Sequence, residues 1–213
     1  MQQRFINCIF ATLFHKETAL KNQLKMKKIF SFYLLLALTV SMASCDKEDE
    51  PDDPIIPNQE EVITTLTYTL TPVGEGNVVV FSFQDLDGDG GNDPVLTEGT
   101  LAANTVYAGA LVLLNETESP AEDITLEVEE EADEHQFFFS STLSDLSVSY
   151  TDAYNGNPLG ITSELTTGAA GSGVMTVILR HEPNKDAEGV ADGDITNAGG
   201  ETDIEVDFTV NVE

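Results

Sequence analysis

Ile204-Glu205-Val206-Asp207-Phe208-Thr209-Val210-Asn211-Val212 alternates apolar and polar residues without a break. A period of two places every second side chain on one face of a strand, so the stretch reads as a half-buried β-strand. The apolar members are β-branched or aromatic, which suits a pleated, packed surface. Working outward, Leu66, Tyr68 and Leu70 share parity with Val62 and alternate with Thr65, Thr67 and Thr69. Ile124, Leu126 and Val128 alternate with Thr125, Glu127 and Glu129, and Leu146, Val148 and Tyr150 with Ser147, Ser149 and Thr151. Segments 78–83, 105–114, 136–140 and 174–181 are more continuously apolar, as central strands are. Turn-forming runs separate them, among them Pro72-Val73-Gly74-Glu75-Gly76-Asn77, Tyr154-Asn155-Gly156-Asn157-Pro158 and the Gly-rich 167–173. Helix is compatible only with 127–134, where crowded glutamates oppose it. About eight short strands with regular turn signals predict an all-β, antiparallel two-sheet sandwich of Greek-key or immunoglobulin-like pattern over 62–213.

Charge narrows the function. The 213 residues carry 38 Asp and Glu against nine Lys and Arg, a formal charge of −29. Nucleic-acid binding needs clustered cations to neutralise phosphates, so that class is excluded. The two cysteines, Cys8 and Cys45, lie far from the strand-rich region, which rules out a disulfide framework or a thiolate zinc cluster.

The N-terminal portion reads as address rather than fold. Met26-Lys27-Lys28 opens a positive region, Ile29 to Val40 is apolar, and Met42-Ala43-Ser44 precedes Cys45. Together they form a secretory signal over 26–44, too short to span a bilayer comfortably. The position of Cys45 resembles the lipobox of bacterial lipoproteins, which implies acylation of that thiol, for instance by palmitate, and a membrane anchor. Residues 1–25 lack signal character and read as a spurious upstream extension. Cleavage before Cys45 would remove six of the nine basic residues and one acidic residue, leaving three against 37, a formal charge of −34. Self-repulsion of that size disfavours a compact state at low ionic strength, and divalent cations relieve it. Residues 45–61, rich in acid and proline, read as an extended tether. Within it Lys47-Glu48-Asp49-Glu50 resembles the export signal of surface-exposed Bacteroidetes lipoproteins, which implies an outer-membrane, outward-facing location.

Two sets of side chains carry candidate chemistry. Asp85-Leu86-Asp87-Gly88-Asp89-Gly90-Gly91-Asn92-Asp93 places acids at alternate positions with a tight glycine turn, so that Asp85, Asp87, Asp89 and Asp93 can aim oxygens at one hard cation. The pattern resembles the first half of an EF-hand or thrombospondin-type calcium loop. It departs at the twelfth position, where Leu96 replaces the bidentate Glu, and an ion-free Asp-Gly hairpin is the competing expectation. His135 and His181 stand at the ends of apolar strands and share parity with core residues. With neighbouring carboxylates they are candidate ligands for zinc or another transition metal, or else rim histidines paired with acids. Arg180 reads as a neutraliser of local carboxylates, and the acidic loops 192–194 and 199–203 as turns with further cation contacts. No Ser sits in a Gly-x-Ser-x-Gly elbow, and carboxylate pairs are too abundant to single out a glycosidase site. The expectation is a non-enzyme.

Five stretches taken together, Asp85 to Gly91, Leu113-Leu114-Asn115-Glu116, Glu134 to Phe139, Leu179-Arg180-His181-Glu182-Pro183 and Gly193 to Ile204, resemble small flavobacterial lipoproteins labelled as type 1 periplasmic binding fold superfamily proteins. That resemblance implies an envelope lipoprotein. The two-domain α/β architecture behind the label needs many long helices, which this pattern of alternation does not supply. The chain is therefore expected to be a membrane-anchored acidic β-sandwich that binds divalent cations, calcium or less readily zinc, or an envelope partner. The alternative is an accessory or adhesion module of an outer-membrane receptor, and a hydrolase is the remote one.

Overall fold

The computed structural model describes residues 61–88 and 90–213. Eleven strands form two sheets. The larger contains β1 (Thr65–Pro72), β2 (Val79–Gln84), β3 (Val95–Thr97), β5 (Val106–Asn115), β6 (Glu122–Asp123), β8 (Ser147–Tyr150) and β9 (Thr162–Thr166). Its order is β3-β2-β1-β5-β9-β8, with β6 on β5. The smaller contains β4 (Thr100–Leu101), β7 (His135–Ser141), β10 (Gly171–His181) and β11 (Glu201–Val212), ordered β4-β11-β10-β7. All pairings are antiparallel except β4 with β11. The expected all-β sandwich is what the chain adopts.

The alternation explains the core. Leu66, Tyr68, Leu70, Phe81, Leu111 and Leu113 of the larger sheet face Phe137, Met175, Val177, Leu179, Val206, Phe208 and Val210 of the smaller, all buried. Phe81 and Phe208 meet edge-on with ring centroids 5.6 Å apart, an arrangement favoured by the ring quadrupoles. The Tyr68 hydroxyl, also buried, is satisfied by Ser163 Oγ at 2.7 Å. Gly109 makes room for that ring, because a Cβ there would lie 2.7 Å from Tyr68 atoms.

Two strand expectations are corrected. Residues Ile124–Glu130 form helix α1 rather than a strand. Asp123 caps it by accepting from Thr125 N at 3.1 Å, and Ile124 and Val128, four apart, both bury one helical face. Leu126 is left 56% exposed, which a half-buried strand would not permit. The glutamates that opposed a helix point to solvent, so packing of one face outweighs their repulsion. Segment 136–140 lies in an edge strand, not a central one, yet Gln136, Phe137 and Phe138 are buried. Leu159 O accepts from Phe137 N at 2.7 Å along the free edge, and Phe138 lies in a small second core with Val190 and Ala198. The 183–200 segment that supplies those residues is pinned by Lys185, whose buried ammonium donates to Ala132 O at 2.5 Å and Pro158 O at 3.2 Å.

Candidate metal centre

The smaller sheet brings the two histidines together. β7 begins with His135 and β10 ends with His181, and the antiparallel register sets them directly opposite. Opposed residues share a face, so both rings turn inward, with centroids 4.7 Å apart. On the other side of β10, Leu179 pairs with Ile204 and Arg180 with Thr202, which leaves Asp203 as the extra residue of a β-bulge. A bulge re-aims a side chain that strict alternation would send outward. Asp203 accordingly has a fully buried carboxylate, beside the histidines. Gly200 closes the β10–β11 connection over them, since a Cβ there would stand 2.2 Å from His181 O.

The fourth member, Glu61, enters four residues before β1. The sequence composition places it at the end of the tether, but its carboxylate is 2% exposed and lies among the histidines. His135 Nε2 is 2.9 Å from Glu61 Oε1 and 3.8 Å from Asp203 Oδ2, and His181 Nδ1 is 3.6 Å from both Glu61 Oε2 and Asp203 Oδ1. One donor atom from each of the four residues lies within 4.8 Å of all the others. Ligands about 2.0–2.1 Å from a tetrahedral zinc would stand ~3.4 Å apart, in the middle of these separations.

Local bonding fixes the His135 ring. Its Nδ1 is 3.2 Å from Glu131 O at the end of α1. A carbonyl only accepts, so Nδ1 carries a proton, and Nε2, which faces two carboxylates, is left to hold a second proton or to ligate a metal ion. Metal-ligating histidines are commonly oriented by such an N–H to a backbone carbonyl. A lone pair facing carboxylate oxygens is unfavourable unless a proton or a metal ion lies between them. Nε2 and Oε1 are close but not aligned for a hydrogen bond, and the buried Glu61 Oε2 accepts none among the described residues.

The charges reflect the same demand for a cation. Burial pulls the His135 pKa down, but the adjoining Glu61 carboxylate, the Glu131 carbonyl and the charge of Asp203 together carry it above its ordinary 6.5. Burial raises Glu61, yet its close contact with His135, its own backbone N–H and the charge of the two imidazoles leave it below its ordinary 4.5. Glu127 on α1 is pushed up, first by burial and then by Glu61, Glu122 and Glu131. As ligands of a metal ion, two carboxylates and two imidazoles would together carry −2, which one divalent ion cancels. Glu134, His181 and Glu182 form an adjoining second group of potential ligands.

The other candidate residues lie elsewhere. The 85–93 loop joins β2 to β3, and Asp85 Oδ1 accepts from the backbone N–H of Asp87 at 3.3 Å and Gly88 at 2.9 Å. Asp87 accepts from Asn92 N and, at 2.6 Å, from Asn92 Nδ2, and these bonds lower its pKa. Among the described residues, the groupings able to share an ion do not include Asp85, Asp87 or Asp93, while Asp89 lies outside the described residues. So do Cys45, Lys47, Glu48, Asp49 and Glu50. Arg180, expected to neutralise carboxylates, donates to Thr202 Oγ1 at 2.7 Å. Among the described residues no helix is long and apolar enough to cross a membrane.

Glu61 had no sequence signal beyond lying just ahead of a strand. Asp203 belongs to the acidic stretch 199–203, and its adjacency to the inward Ile204 is the trace of the bulge. Neither a family model, a curated protein nor a solved structure matches the chain.

Proposed function

We propose that this chain is an envelope lipoprotein, anchored through an acylated Cys45, whose β-sandwich binds one divalent transition ion at Glu61, His135, His181 and Asp203. The observation that carries the proposal is the convergence of these four buried side chains, with one donor atom from each within 4.8 Å of all the others. Two imidazoles and two carboxylates at near-tetrahedral spacing suit zinc, and imidazole donors disfavour calcium, which takes six to eight oxygens. All four donor side chains are at most 7% exposed, so protein ligands fill the coordination shell. A closed shell fits metal capture or metal-dependent rigidity, whereas hydrolytic zinc keeps a position for water. Calorimetric titration of the full chain in detergent provides the test. Zinc is expected to bind at one site per chain and calcium to give no heat there. Absence of zinc binding would sink the proposal.

A further inference from the structure

The four ligands are not held alike. His135 and His181 are partners in a hydrogen-bonded ladder, and Asp203 sits in a bulge whose strand continues pairing on both sides. The backbones that carry these three cannot move from the site without breaking sheet pairing. Glu61 is different. The first backbone–backbone hydrogen bond after it is Thr64 N to Leu114 O at 3.0 Å, and among the described residues no other residue's backbone bonds that of 61–63; the backbone bond at Glu61 is its own N–H to its own carboxylate. Val62 is 58% exposed, and Ile63 packs only partly against the core. Thr64, by contrast, is tied to β5 by its backbone and its hydroxyl, which donates to Leu114 O and accepts from Glu116 N. The chain is therefore fixed from Thr64 onward, and Glu61 is carried on a short strap ahead of that point.

Resting on the metal-binding reading above, we propose that Glu61 is the displaceable ligand through which the ion enters and leaves. Rotation of the strap about 62–63 takes the carboxylate away and leaves two histidines and one carboxylate on the sheet. That set holds a metal with a coordination position open to an outside ligand. The incoming group is a nitrogen or oxygen donor, an imidazole or carboxylate of a receiving protein or a small anion. It forms one bond to the metal as the Glu61 oxygen gives up its own, with no change of oxidation state. The sandwich itself stays folded, because no ladder hydrogen bond is broken. Metal exchange is thereby coupled to the segment that joins the body to residues 45–60.

Cobalt(II), whose visible bands report coordination number, is the probe, with azide as the outside ligand. The full-length chain in detergent is loaded with cobalt and titrated with azide, alongside Glu61→Ala and Glu61→Gln. The wild type is expected to keep its tetrahedral bands unchanged in azide. Both variants should still bind cobalt, shift their bands on azide addition, and release metal to a chelator about 10- to 100-fold faster, the range set by lost supporting contacts at metal sites. Variants that bind no cobalt, that ignore azide, or that release metal at the wild-type rate would overturn the gate while leaving the site intact in the wild type. A wild type that takes up neither cobalt nor zinc would instead remove the metal reading, and the gate with it.

Discussion

The 85–93 loop and the His135–His181 cluster are both acidic, but they use their carboxylates in opposite ways. In the loop, Asp87 is exposed and Asp85 half-buried, and both accept hydrogen bonds from N–H groups of their own turn. In the cluster, Glu61 and Asp203 are withdrawn from water and directed at imidazoles on a neighbouring strand. An exposed carboxylate on a local turn is already satisfied by backbone and solvent. A carboxylate withdrawn from water beside imidazoles has given up that solvation, and its charge calls for a proton or a metal as counterpart. Enclosure, more than acid count, separates the two regions.

The largest effect that would break this contrast is loss of a ligand. His135→Ala or His181→Ala is expected to weaken zinc binding by at least about 100-fold, the upper end of what loss of an outer-shell partner costs. Asp85→Asn with Asp87→Asn should leave the zinc isotherm of the same calorimetric experiment unchanged. A reversed result would transfer the metal centre to the loop.

What was readable beforehand follows from local chemistry. The alternation of Ile204 to Val212 and the parity of His135 with Phe137 and of His181 with Leu179 both survive in the structure, because period two translates directly into facing. The pairing of β7 with β10 was not readable, since register between segments forty residues apart depends on the whole sheet. The bulge at Asp203 hid a member of the buried cluster by breaking the very rule that located its neighbours. The spacing of Ile124, Leu126 and Val128 is ambiguous, as Ile124 and Val128 also satisfy the i, i+4 of a helix, and the Asp123 cap decided the outcome.

Next in size is the response of stability to zinc and to pH. Zinc at 100 times its dissociation constant should stabilise the fold by about 2.7 kcal/mol, read as a rise in Tm, with no such rise from calcium. Without metal, His135 titrates above its ordinary 6.5, so its contribution is complete below that pH and is lost as pH rises through the folded value. Glu61 titrates below its ordinary 4.5, so its contribution is present above that pH and lost as pH falls through the folded value. In chelator, Tm is therefore expected to fall from pH 6.5 upward. In zinc it should rise over the same interval, as protons stop competing for the ligands. Parallel pH profiles with and without zinc would contradict the shared site.

The smallest effect belongs to the loop. Asp87→Ala removes bonds to Asn92 on an exposed turn and should alter unfolding free energy by about 0.5 kcal/mol or less in a urea titration. A loss of several kcal/mol, abolished by chelator, would mean that the loop is ion-organised after all.

The scarcity of cations leaves one more mark. Beyond Lys47 the chain offers trypsin only Arg180 and Lys185. The first is paired on both sides in the middle of a sheet, and the second is sequestered with its ammonium on two carbonyls. The folded body thus gives that protease no accessible bond to cut, and amine-directed labels will find its lysine only after it unfolds.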